Sequence, residues 1–212
     1  MRNAIKIAGG AAALLTAGYG AYVINEKRIE QPDYRVIRAD GNFEVREYPS
    51  LLTATVRVTG DRDSALQSGF SQLADYIFAK SRGGESIAMT APVVQQREAI
   101  AMTAPVIQQA GEAGTWAVRF VMPSEYTRET LPPPPEGVTI EEEPVRRIAA
   151  LKFGGRAGSA SLARQTRRLE GWMASEGLSA GGAAEYAYYN SPFVLPFLRR
   201  NEVVIPLEMA TR

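Results

Sequence analysis

Few residue types in this 212-residue chain could do chemistry, because histidine and cysteine are both absent. Their absence removes Ser-His and Cys-His nucleophile pairs, thiol chemistry, disulfides and the usual zinc and haem-iron ligands. What remains is carboxylate, lysine, tyrosine, methionine and shape. A carboxylate set among aromatic rings stands at Glu185, followed by Tyr186, Tyr188 and Tyr189. Strand alternation puts Glu185, Ala187 and Tyr189 on one face and Tyr186 and Tyr188 on the other. If buried, Glu185 is placed to act as general base or nucleophile; if exposed, it is the start of a strand and nothing more.

Methionine enters through a phrase written twice. Glu85-Ser-Ile-Ala-Met-Thr-Ala-Pro-Val-Val-Gln-Gln-Arg97 is followed without a gap by Glu98-Ala-Ile-Ala-Met-Thr-Ala-Pro-Val-Ile-Gln-Gln-Ala110, so Met89 recurs as Met102 and Pro92 as Pro105. The offset of 13 is odd, and one continuous strand would send the two copies to opposite faces. The phrase therefore predicts two strands joined at Gln95-Gln96-Arg97-Glu98 as a hairpin. Proline cannot donate to a β ladder, which confines Pro92 and Pro105 to strand ends, bulges or an edge. On packing grounds alone, Met89 and Met102 read as fillers of irregular core space.

The elements that must position these groups follow from periodicity. Tyr34–Arg38 and Phe43–Tyr48 flank Asp40-Gly41-Asn42, a hairpin signal, and Leu51–Val58 makes a third strand. Asp61 and Asp63 open a helix whose Leu66, Phe70, Leu73 and Ile77 recur on one face. Strands are predicted over Thr115–Met122, Val138–Glu143 and Arg146–Phe153, a second helix over Ser159–Ser175, and closing strands at Glu185–Asn190 and Val203–Leu207. Leu131-Pro-Pro-Pro-Pro-Glu-Gly137 is extended polyproline-like chain bridging two strands. Leu162, Thr166, Leu169 and Met173 lie 96 residues after Leu66, Phe70, Leu73 and Ile77, and the same offset carries Leu52 to Ile148 and Ala54 to Ala150. The recurrence implies two strand-helix-strand halves related by a pseudo-twofold, with both helices on a mostly antiparallel, curved sheet: α+β architecture.

Twenty-four basic and 23 acidic residues leave a formal charge of +1, no electrostatic footprint for nucleic acid. Residues 7–24 carry no charge, with Arg2 and Lys6 before them and Glu26-Lys27-Arg28 after. As a helix this run would reach ~27 Å, close to the hydrocarbon thickness of a bilayer. Residues 1–28 thus read as a cleaved signal peptide or a retained hydrophobic anchor helix, with the anchor favoured because Gly18 and Gly20 offer only a weak cleavage site. Either implies export or attachment to a membrane of the cell envelope, such as a periplasmic location, with residues 29–212 as one domain.

Several phrases in fixed order resemble the SOUL haem-binding protein family: Ile87-Ala-Met-Thr-Ala-Pro92, Val118-Arg-Phe-Val-Met-Pro123, Leu131-Pro-Pro-Pro with Val138-Thr-Ile-Glu behind it, and Tyr189-Asn-Ser-Pro192 followed by Arg199-Arg-Asn-Glu202. The resemblance implies a distorted antiparallel β-barrel of two βαββ-type halves with a long helix on each, related to the GyrI-like small-molecule-binding fold. It also implies haem or another tetrapyrrole as ligand, held in an apolar pocket beside the first helix. Carried onto this sequence, the pocket takes Phe70, Leu73 and Ile77, with Lys80, Met89, Met102, Phe193 and Leu195 around it. Asp75 stands where a relative has lysine, and no histidine is available for the iron. Axial ligation would fall to Met89, Met102 or a tyrosine, and no separate metal ion is expected. The leading reading is a non-catalytic binder of a tetrapyrrole or other small apolar ligand. Its rival is a GyrI-like hydrolase working through Glu185.

Overall fold

A computed structural model describes Tyr22 and residues 28–80, 84–97 and 114–208. The chain begins as a hairpin of β1 (Arg35–Asp40) and β2 (Phe43–Tyr48), turned at Gly41, whose positive φ of 56° suits a residue without Cβ. β3 (Leu51–Gly60) leads into helix α1 (Arg62–Ile77). There Asp61 caps the helix, its side chain accepting from the backbone amides of Asp63 and Ser64 at 3.1 Å each. Then come β4 (Val93–Arg97), β5 (Gly114–Val121), β6 (Val138–Glu143), β7 (Arg146–Phe153), helix α2 (Ser159–Ser175), β8 (Glu185–Tyr188) and β9 (Asn201–Pro206).

The nine strands of the described residues form one sheet in the order β1-β2-β7-β9-β8-β4-β5-β3-β6, with every neighbouring pair antiparallel. The expected barrel is not closed: β1 and β6 end the order and do not pair with each other. Both end strands carry charged side chains, Arg35, Arg38 and Asp40 on β1 and Glu141, Glu142 and Glu143 on β6, as unpaired sheet edges commonly do.

Both helices cover one face of the sheet. Leu73 and Ile77 of α1 pack on Ala54, Val56, Val118 and Phe120 of the sheet, and Leu169 of α2 packs on Val45, Ala149, Leu151, Val203 and Ile205. The stripe that α1 buries is rotated from the one its periodicity predicts. Ala65, Gly69, Leu73, Tyr76 and Ile77 face inward, while Leu66 is half-buried and Phe70 is 37% exposed. The cause is close approach: a Cβ on Gly69 would lie 2.7 Å from the Cβ of Val118. With its smallest residue against β5, the helix turns Phe70 to its flank.

The 96-residue offset holds along the helices and fails in the strands. Gly69, Leu73, Tyr76 and Ile77 correspond to Gln165, Leu169, Trp172 and Met173, all buried. Ala54 and Leu52, however, pack under α1, whereas Ala150 and Ile148 join Tyr48 and Val204 in a separate cluster, apart from the neighbouring Ala149 and Leu151 under α2. A strand reverses its side chains every residue, so an offset that matches opposite faces is one residue out of register.

The doubled phrase also differs from expectation. Gln95, Gln96 and Arg97 belong to β4, paired with β5 and β8, and form no turn. Pro92 stands immediately before that strand, as its missing amide requires. The second copy, with Met102 and Pro105, lies outside the described residues, as does the amino-terminal run apart from Tyr22. Among the described residues no helix is long and apolar enough to cross a membrane.

Candidate functional site

The apolar groups that could receive a ligand are arranged by the central strands. Val93 on β4 lies opposite Phe120 of β5 on one side and opposite Tyr188 of β8 on the other. Phe70, on the flank of α1, meets Phe120 edge to face with ring centroids 5.4 Å apart. Beyond Tyr188 begins the β8–β9 connection, which presents Phe193, 80% exposed, and Leu195. Two strand spacings, about 10 Å, separate the Phe120 and Tyr188 positions. Phe70 and this connection thus stand on either side of the start of β4.

A polar latch fixes the floor between the helices. Nη1 of Arg62, the first residue of α1, donates to the Tyr188 hydroxyl at 2.9 Å, and that hydroxyl donates to Gln95 Oε1 at 3.2 Å. Gln95 Nε2 donates back to the Arg62 carbonyl at 2.7 Å, while Arg62 Nε reaches Ser159 Oγ, at the start of α2, at 3.3 Å. Burial pushes the Tyr188 hydroxyl up to about 12, so it remains a neutral donor. Period-2 alternation in Glu185–Asn190 does place Tyr188 on the face opposite Glu185, but nothing in the sequence links it to Arg62.

The other residues carried over from the resemblance fall in different settings. Leu73 and Ile77 are core residues on the buried face of α1, and Met89 is partly buried against the same cluster. Lys80 is exposed and pairs with Asp75 at 3.0 Å. Arg199 and Arg200, at the end of the β8–β9 connection, are engaged by the backbone carbonyls of Val194 and Pro192 and by Glu202, respectively. Met102 lies outside the described residues. The rim of the site is therefore Phe70, Phe193 and Leu195, with Met89 near the core. These exposed members of the set are apolar, and the chain offers neither histidine nor cysteine as an axial iron ligand.

Glu185 is buried, on the face opposite the helices, in the alternation its sequence predicts. Both of its oxygens accept from Arg146, at 2.6 and 3.0 Å. A carboxylate clamped in this way by one guanidinium is occupied structurally. Nearby, Arg46 and Glu202 form a second buried pair that sequence reading missed, with the Tyr189 hydroxyl donating to Glu202 at 2.9 Å. Among the described residues no group of histidine, cysteine or acidic side chains could hold a metal ion.

A cleft of about 690 Å³ opens elsewhere, between residues 30–33, the β2–β3 turn and the segment after β5. Glu30, Asp33, Glu129 and Glu142 line it against Arg128. That charge balance opposes any ligand bearing carboxylates.

Residues 29–206 match the family model described as SOUL heme-binding protein. The chain is 28% identical over 184 residues to heme-binding protein 2 of Mus musculus, covering 84% of this chain and 86% of that protein. It is 30% identical over 165 residues to heme-binding protein 2 of Homo sapiens, covering 77% of each. In fold it is similar to a crystal structure of a hydrolase from Listeria innocua, with a TM-score of 0.54, 14% identity, and coverage of 81% of this chain and 94% of that one.

Proposed function

The chain belongs to the SOUL haem-binding protein family, and on that premise we propose that it binds haem or another tetrapyrrole as a non-catalytic protein of the cell envelope, held there through residues 1–28. The observation that carries the site is the exposed apolar rim of Phe70, Phe193 and Leu195 on either side of Val93. Affinity comes from burial of the ring face against these side chains, since apolar area removed from water needs no coordinating atom. Met89 is the described one of the two repeated methionines, and its packing against the α1 core assigns it to support. The recurrence of buried helix positions at an offset of 96 supports two halves of common design, with the ligand at one end of their junction.

The test is a spectral titration with haemin and with metal-free protoporphyrin. Binding by burial predicts similar affinities for the two. A strong preference for haemin, lost in Met89→Ala or Met102→Ala, would instead establish ligation through methionine sulfur. Absence of binding to both would end the tetrapyrrole reading.

A further inference from the structure

The β8–β9 connection exposes more apolar surface than a ligand rim requires. In Phe193-Val-Leu-Pro-Phe-Leu198, Phe193 and Phe197 are 80% and 74% exposed, and Leu195 and Leu198 are exposed as well. Such contiguous apolar surface marks a place of contact with something other than water.

The backbone of this loop is satisfied from within. The Val194 amide donates to the Ser191 carbonyl, the Leu198 amide to Leu195 and the Arg199 amide to Pro196. Arg199 Nε and Nη2 donate to the carbonyls of Val194 and Pro192, each at 2.6 Å. Gly155 N donates to the Pro196 carbonyl, and Asn201 Nδ2 to the Gly155 carbonyl, which ties the loop to the β7–α2 turn. Apolar side chains thus stand on a loop much of whose backbone already has partners within the protein, which lowers the cost of entering a medium poor in water.

Charge and chain path point to the occupant. From Tyr186 to Asn201 there is no acidic residue, and Arg156, Arg199 and Arg200 lie in or beside the loop. The Tyr22 hydroxyl hydrogen-bonds Ser191 Oγ at 2.7 Å, so Tyr22, a residue of the uncharged run 7–24, lies at the base of this same loop.

We propose that Phe193–Leu198 docks on the surface of a lipid bilayer, Phe197 and Leu198 entering the interface and the exposed Arg156 beside the loop facing its headgroups. This rests on the membrane reading of residues 1–28 for its orientation and on the loop itself for its contact. A ligand held at Phe70 and Phe193 would then lie against the membrane.

The experiment uses full-length Phe197→Trp in vesicles of phosphatidylcholine and phosphatidylglycerol with brominated acyl chains, with the parent chain, carrying Trp116 and Trp172, as baseline. Flotation with the vesicles reads attachment, and quenching of the introduced indole reads the loop. The expected result is flotation with emission shifted to the blue and quenched roughly twofold beyond the parent, as for an aromatic residue at the acyl boundary. Flotation of a folded variant without added quenching overturns the loop contact and leaves the amino-terminal attachment standing. Failure to float overturns both. Haemin titration of the same variant reads the ligand site separately.

Discussion

Arg46 and Glu202 meet face to face although a whole strand separates them, Nη1 lying 2.7 Å from Oε2 and Nη2 lying 3.0 Å from Oε1, with both side chains fully buried. Arg46 is on β2, Glu202 on β9, and the diagonal between them crosses β7 at Ala150 in the paired register. A small side chain there leaves room for the guanidinium to reach over. Removing Glu202 would leave the buried Arg46 with Glu44 as its remaining carboxylate and take one from Arg200, so Glu202→Gln should cost roughly 3–5 kcal/mol in urea unfolding near neutral pH. A loss below about 1 kcal/mol, the range of exposed pairs, would show that the pair is not buried as described.

The same pair sets a pH dependence. Burial alone would push the Glu202 carboxyl up, but hydrogen bonds and charge from Arg46, then from Arg200, hold it below the ordinary value. Glu44 is held down by Lys152 and Arg46 against its own burial, and Glu141 by Arg57 likewise. A carboxyl depressed on folding contributes stability that is present above its unfolded value, about 4.3, and is lost as the pH falls through the folded value. The urea midpoint should therefore fall progressively below about pH 4, and less steeply in Glu202→Gln. Equal slopes in the two proteins would remove Glu202 from the account.

Gly69→Ala should destabilise although alanine is the better helix former. The helical preference is worth about 1 kcal/mol. Against it, the new methyl would meet the Cβ and Cγ2 of Val118 at 2.7 Å, atoms fixed to the β5 backbone. Pushing α1 off the sheet costs about 1–3 kcal/mol in overpacking, which outweighs the gain. Thermal unfolding decides, and a higher Tm in the variant would mean that the helix does not approach β5 so closely.

Much of the fold was legible because periodicity reports element type. The bounds of β2, β6, β7 and α2 follow directly from alternation or helical spacing. The buried face of α1 does not, because a hydrophobic stripe of Leu66, Phe70, Leu73 and Ile77 ignores what a glycine permits. Close packing at Gly69 selects a neighbouring face instead. The Arg46–Glu202 pair is hidden for a different reason: alternation places Arg46 with Glu44 and Tyr48, but only pairing partners far along the chain decide that this face is buried. For the candidate site, Phe70, Phe193 and Leu195 come from resemblance and lie at the surface, while Leu73 and Ile77 serve the core.

The two copies of the doubled phrase should differ in importance. The first is stitched into the fold: the Ile87 amide donates to the Ile77 carbonyl at 2.7 Å, the Ala91 amide to the Glu30 carbonyl at 2.8 Å, and the Thr90 hydroxyl to the Val121 carbonyl. Deleting residues 98–110 leaves Gly111-Glu112-Ala113 to join Arg97 to Gly114, which already lie beside each other at the ends of β4 and β5. Shortening the connection lowers the closure entropy by about 1 kcal/mol, so the variant should unfold cooperatively with an unchanged or higher Tm. Loss of cooperative unfolding would mean that the second copy is part of the core.

Phe70→Asp should separate ligand binding from stability. Phe70 is 37% exposed and meets Phe120 edge to face, so its replacement forfeits that contact, worth about 0.5–1.5 kcal/mol, together with the ring's partial burial. Leu73→Ala one turn on is the control, because Leu73 is wholly buried and its truncation should cost about 2–5 kcal/mol. If the rim of Phe70, Phe193 and Leu195 receives the ring, Phe70→Asp places a charge against an apolar face and weakens haemin and protoporphyrin alike. Leu73→Ala should lower the unfolding temperature and leave the affinity of the folded fraction nearly unchanged. The reverse pattern, with affinity intact in Phe70→Asp and lost in Leu73→Ala while the protein remains folded, would move the ligand beneath α1 into space the described core fills, and would sink the surface site.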